Sequence, residues 1–241
     1  MLADYSRSHD QINEALTTAR DAFATGPVKA REALAQAQRQ YTEGWQDAAA
    51  VCSEVDRAVA DSFRKMQEAI DRGDAAEFNV QRQIASKSLL AIAYRNLDAA
   101  LARGDAAMAR AWWPLFVAKF KWDRRPVPAV QMMAQALSDG HKLGQAKGMV
   151  KAALVDAFSL KVKEEAMEAV AYGSKDRAVG REKAIEAVVY FGAVDSDIRA
   201  KLGVARHQEL KDAVHDLYAA ATAGNMEQVK ALANRIKEML S

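Results

Sequence analysis

Carboxylates one helical turn apart are the first residues in this chain that could do chemistry. Glu164, Glu165 and Glu168 form one cluster, and Glu182 with Glu186 forms another. Oxygen ligands at that spacing are the raw material of sites for hard cations such as calcium and ferric iron. His207, Lys211 and His215 fall at i, i+4 and i+8 and are expected on one helix face, with Asp212 three residues before His215. A histidine and a carboxylate so spaced can hold a metal. The candidate metal ligands are therefore Glu164, Glu168, Glu182, Glu186, Asp212 and His215. The competing reading is a solvated helix surface laced with salt bridges. Lys161, Lys163, Arg181, Lys183 and Lys211 stand among the acids and would repel a cation. A di-iron site of the ferritin type would want two Glu-x-x-His pairs, and the chain has none.

Other groups carry less chemistry. Gly140, Gly144 and Gly148 are spaced four apart, but no Gly-Lys-Ser/Thr follows, so they are not a phosphate loop. Glycines that dense weaken a helix, and a flexible connection is expected there. Trp112, Trp113, Phe116, Phe120 and Trp122 interleave with Lys119, Lys121, Arg124 and Arg125. Trp113, Phe116 and Phe120 share a helix face. They are expected to pack against the helix starting near Ala129, the alternative being a docking surface of rings and cations. The one cysteine, Cys52, lies in an apolar helical stretch and is expected to be a buried small hydrophobe. No nucleophile elbow, dinucleotide fingerprint or Cys/His pair is present, so no enzyme activity is expected.

The elements that must position these residues are helices. Four times an apolar-periodic run ends on a glycine beside a small polar or acidic residue: Gly73-Asp74, Gly104-Asp105, Gly173-Ser174 and Gly224-Asn225. A glycine past a helix end can take the left-handed conformation that closes it, and Asp, Ser or Asn can cap the next helix. Helices are expected over 4–24, from Pro27 to about Trp45, and over 46–72, 75–103 and 106–122. Beyond a proline linker they are expected over 129–139, 149–172, 176–192, 196–202, 207–223 and 225–240. Over 46–72, Val51, Val55, Val59, Phe63, Met66 and Ile70 form one apolar stripe. The glycine junctions lie 31, 69 and 51 residues apart. That irregular spacing favours a bundle of antiparallel hairpins over a solenoid repeat. The expected fold is all-α, with an N-terminal half 1–122, the linker 123–128 and a C-terminal half 129–241.

Composition agrees. Half of the 241 residues are hydrophobic, with only four prolines and twelve glycines. The net charge is +2, from 34 basic and 32 acidic residues that are interspersed. No basic stripe points to nucleic acid, and no apolar run is long enough to span a membrane. Helix content on the order of 70–80% is expected, well above the usual third. Met1-Leu2-Ala3-Asp4 leads straight into polar sequence without a signal peptide. Such a start fits a cytoplasmic chain, and equally one whose leader was replaced by Met.

Three stretches taken in order resemble a known family. They are Tyr41-Thr42-Glu43-Gly44-Trp45 with Asp56, Phe63, Ala69 and Gly73-Asp74 behind it; Phe120-Lys121-Trp122-Asp123-Arg124-Arg125-Pro126 with the helix to Asp139-Gly140; and Val155-Asp156-Ala157-Phe158 leading into Lys161 to Ala166. Residues 176–194, ending in Val189-Tyr190-Phe191, look like the last helix of the same region. Over roughly 40–200 the chain is similar to the helical extracytoplasmic region that precedes the membrane part of bacterial high-affinity iron permeases of the iron/lead transporter family. Where that pattern carries glutamates after the Gly-aromatic turn, this chain has Gln46, Asp47, Ala48 and Ala49. The permease signature Arg-Glu-x-x-Glu is absent, since Arg181-Glu182-Lys183-Ala184-Ile185-Glu186 is one residue longer and lies in no membrane span.

The resemblance implies a non-enzymatic extracytoplasmic module associated with iron uptake, handling the metal or docking on a partner such as a membrane iron permease. Iron is then the metal to expect, with no nucleic-acid partner and no membrane insertion. The alternative is a cytoplasmic scaffold of helical hairpins with no metal role.

Overall fold

The computed structural model describes residues 4–23, 25–124, 126–139 and 142–241. Met1, Leu2, Ala3, Arg125 and Gly140, which figure in the readings above, lie outside them. The described residues form twelve α-helices and two short 3-10 turns, with no strand. The helices are α1 (Tyr5–Phe23), α2 (Pro27–Gly44), α3 (Gln46–Ala49), α4 (Ser53–Arg72), α5 (Ala75–Arg103) and α6 (Ala106–Lys119). They continue as α7 (Pro128–Asp139), α8 (Leu143–Gly173), α9 (Arg177–Ala193), α10 (Asp195–Leu202), α11 (Val204–Ala223) and α12 (Met226–Met239). The all-α expectation holds, and helix content, at 91%, exceeds the expected range.

Glycine and cap chemistry closes three of the four expected junctions in the same way. Gly73, Gly104 and Gly224 have φ of +69°, +70° and +77°. Behind each, the next amide reaches back to a carbonyl in the last turn: Asp74 to Ala69, Asp105 to Ala100, and Asn225 to Ala220. The same three residues turn their side chains forward as acceptors, from the amides of Glu77, Met108 and Gln228. One residue thus satisfies orphan groups of two helices.

The fourth junction works differently. Gly173 is the last residue of α8, and the cap of α9 is Asp176 rather than Ser174, accepting from the amides of Ala178 and Val179. What glycine supplies here is closeness. A Cβ built on Gly180 would stand 2.5 Å from the Gly173 Cα, so the α8 and α9 backbones touch where the hairpin closes. Gly180→Ala is expected to destabilise the chain by about 1–3 kcal/mol, the cost of overpacking, measured as a lower urea midpoint. A neutral Gly180→Ala would contradict the contact.

Two expected boundaries move. The helix expected from 149 begins at Leu143, so Gly144 and Gly148 lie inside α8 rather than in a flexible connection. Leu143, Ala146, Val150 and Leu154 are buried on one side of it, while a Cβ at either glycine would meet open space. Burial of one face outweighs glycine's poor helix propensity. The helix expected over 46–72 is interrupted by a 3-10 turn, Ala50–Cys52, which rotates Val51 out into solvent while Cys52 stays buried. The apolar stripe therefore starts after Val51.

The chain divides into two compact units, and the cut does not fall at the proline linker. Unit 1 comprises Met1–Ala60 and Leu89–Asp156; unit 2 comprises Asp61–Ser88 and Ala157–Ser241. The described linker residues Asp123, Arg124, Pro126, Val127 and Pro128 lie within unit 1, between α6 and α7. In unit 1, α1 and α2 pack as a hairpin, and α6 packs on α1 and α7. Trp45, Trp112, Trp113, Phe116, Phe120 and Trp122 are all buried there, so the rings that could have formed a docking surface are core. In unit 2, α11 packs against α9, α10 and α12. Among the described residues no helix is long and apolar enough to cross a membrane.

Candidate functional site

Unit 2 carries its polar chemistry on the first turns of α9. Arg181, Glu182, Lys183 and Glu186 all face neighbouring helices. On the α5 side, Glu77 accepts from Arg181 at 2.6 Å, Arg82 pairs with Glu182 at 2.7 Å, and Lys87 with Glu186 at 3.4 Å. Gln83 also donates to Glu182. Residue numbers rise together along the two helices, so this stretch of α5 runs parallel to α9. On the α8 side, the Lys183 ammonium lies 3.1 Å from Glu165 and 2.8 Å from Glu168, with Glu186 at 3.6 Å. From α11, the Tyr218 hydroxyl accepts from Arg181 at 3.1 Å.

Three carboxylates from two helices thus share one ammonium. Glu165 and Glu186 are only 6% and 4% exposed. Burial, then the charge of Glu186, pushes the Glu165 carboxyl above its ordinary value, against the pull of Lys183. Burial would lower Lys183, but its hydrogen bond to Glu168 and the charges of Glu186 and Glu165 hold the ammonium above the usual lysine value. Both directions follow from one cation serving several acids: the lysine is over-supplied with partners, while Glu165 shares its one ammonium with two other acids.

A pH dependence follows. Because the Glu165 carboxyl is raised in the fold, the folded chain holds this proton more firmly than the unfolded one. Its stability contribution is full below the ordinary glutamate value of 4.5 and is lost as pH rises through the raised value. Urea unfolding is expected to show wild type losing stability as pH rises through the raised value while Glu165→Gln does not, so the two profiles lie closer at low pH and separate at high pH. Parallel pH profiles would contradict it.

The six candidate ligands do not form one group. Glu168 and Glu186 meet at Lys183, and Glu182 is held by Arg82 and Gln83. Glu164 pairs with Lys161 at 2.5 Å on the outer side of α8. Asp212 accepts from Gln208 at 2.8 Å, and His215 is exposed on α11. His207, expected on the same face as His215, is buried instead. Its Nε2 lies 2.6 Å from Asp195, and its ring is stacked on Phe191. Eight residues advance a helix by 800°, an offset of about 80° that separates the two histidines. Among the described residues no three His, Cys, Asp or Glu side chains stand as a set able to hold a metal ion. The residue that sequence reasoning passed over is Lys183, treated there as a bystander charge.

The motif residues are ties of the fold. The Tyr41 hydroxyl donates to Asp56 at 2.6 Å, and burial followed by this hydrogen bond pushes the phenol well above its ordinary value. The Trp45 indole donates to Ser8 at 3.1 Å. Phe63, Phe158, Tyr190 and Phe191 are buried. Tyr41 of α2 is thus tied to Asp56 of α4.

A family model, the iron permease FTR1 N-terminal domain, matches residues 3–239. The match extends well beyond the stretch over which the motifs could be followed. No curated protein and no solved structure matches the chain.

Proposed function

Because the chain belongs to the iron permease FTR1 N-terminal domain family, which links it to iron uptake, we propose that it is a non-enzymatic, extracytoplasmic helical module that works by docking on a protein partner, the membrane permease of such a system being the partner of choice. One observation carries the preference for docking over metal handling. The four glutamates that could have taken a metal are paired with the chain's own cations: Glu164 with Lys161, Glu182 with Arg82, and Glu168 and Glu186 with Lys183. A metal ion would have to displace these ammonium and guanidinium groups before binding.

The metal-handling reading keeps one observation in its favour. Glu165, Glu168 and Glu186, from two helices, all lie within 4 Å of the Lys183 ammonium, although among the described residues they do not themselves form a set able to hold a metal ion. Calorimetric titration with ferric and ferrous iron, calcium and copper, against a metal-free control, separates the two. The expected result is no stoichiometric uptake at neutral pH, together with saturable binding to a purified permease of the family held in lipid nanodiscs. Stoichiometric uptake that disappears in Glu168→Gln/Glu186→Gln would replace docking by metal handling. Absence of both activities would leave neither.

A further inference from the structure

Between two buried anchors, Ile198 and His207, the chain runs over the surface of unit 2 for eight residues. The run is Arg199-Ala200-Lys201-Leu202-Gly203-Val204-Ala205-Arg206, the end of α10 and the start of α11. It holds three cations and no acid, and only Leu202 is partly covered. Val204 is 64% open to water, more than any other large apolar side chain among the described residues. The base of this turn is fixed. Ile198 is buried, and His207 ties α11 to α10 through Asp195 while its ring lies against Phe191 of α9. A turn presented so firmly loses little freedom on binding.

A single exposed valine is ordinary on a protein surface. What sets Val204 apart is its company. The acids closest to the run along the chain stand outside it: Asp195 is bound to His207, Glu209 pairs with Arg235 at 3.4 Å, and Asp197 precedes Ile198. An apolar tip ringed by cations matches the boundary of an anionic bilayer. The tip enters the headgroup level, and long basic stems let their charges stay among the phosphates. We propose that the α10–α11 turn docks on anionic phospholipid, with Val204 entering the headgroups and Arg199, Lys201 and Arg206 meeting the phosphates. The run has no aromatic ring on which a nucleic-acid base could stack. Its apolar side chains are no larger than leucine, too small an area to hold a protein partner by themselves. The proposal goes beyond the proposed function and does not depend on it.

The test uses the whole chain and vesicles that hold no protein, so its outcome is separate from docking on a permease. Cosedimentation with vesicles of equal parts phosphatidylglycerol and phosphatidylcholine is expected to be saturable, and to be absent with phosphatidylcholine alone. Arg199→Gln, Lys201→Gln and Arg206→Gln each weaken it about fivefold, the usual worth of one cation near an anionic surface. Val204→Ser weakens it with the cations intact. These side chains are exposed, so the urea midpoints of the variants stay close to wild type. An environment-sensitive dye on Val204→Cys shifts to the blue on the anionic vesicles, and one on Ala231→Cys, exposed on α12, does not. Cys52 is buried and stays in place. Absence of binding, equal binding to both kinds of vesicle, or a triple glutamine variant that binds like wild type overturns the proposal. Release by inorganic phosphate at matched ionic strength overturns it too, because it would mark a site for the free ion.

Discussion

Phe116→Ala lowers the unfolding free energy by about 3–5 kcal/mol. The expected readout is a fall in urea midpoint at unchanged m-value. Phe116 is fully buried on α6, at 0% exposure. Its ring stacks 6.4 Å from that of Phe120, which lies 5.3 Å from Trp122, itself 5.6 Å from Trp113. These rings hold the end of α6 and the turn after it within unit 1. Truncation leaves a cavity walled by rigid aromatic groups that collapse poorly, so the upper part of the range applies. Against a typical total stability of about 5–15 kcal/mol, that is roughly a quarter or more. Phe116→Leu keeps most of the volume and costs less, about 1 kcal/mol. A loss below about 1 kcal/mol for the alanine would mean that the ring is not a core anchor.

Lys183→Met is the second large effect, about 3 kcal/mol, the low end for breaking a buried ion pair. Methionine keeps the length of the stem, so the loss is electrostatic rather than steric. Glu165 loses its ammonium outright, while Glu186 keeps Lys87 at 3.4 Å. The low end applies because 23% of the Lys183 side chain is open to water, which screens part of the interaction. Glu165, left without the pull of Lys183, then favours its protonated form more strongly in the fold, so the variant's deficit shrinks as pH falls from 7.5 towards 5. Lys183→Arg restores most of the stability. A deficit equal at both pH values would show that the lysine contributes packing alone.

The hairpin architecture was legible because its signals are local. A glycine and the acid beside it close one helix and open the next within four residues, as at Gly73-Asp74 and Gly104-Asp105. The start of α8 was not legible, because Gly144 and Gly148 argue against helix by propensity while the burial that overrides them depends on tertiary partners. The charged cluster shows the same limit more sharply. Glu165 and Glu168 could be seen to share a helix with lysines, but their cation is Lys183, on another helix. Nothing in the spacing says that α8 and α9 approach closely enough at Gly173 and Gly180 to join them. The family motifs lie between these cases. Tyr41 and Asp56 could be recognised as a pattern, but their role as the two ends of one hydrogen bond belongs to the fold.

Cys52 has a consequence for the covalent state of the protein. A lone accessible thiol in oxidising surroundings couples two copies of a chain through a disulfide, or carries a small-thiol adduct. Here the side chain is 3% exposed, and burial, then the charge of Glu54, pushes the thiol up to about 11. At neutral pH the thiolate that attacks a disulfide is then a minor species. The fold therefore keeps an unpaired sulfhydryl chemically silent without a second cysteine to lock it. The protein can remain a reduced, uncrosslinked chain in either of the compartments between which its sequence leaves the choice open.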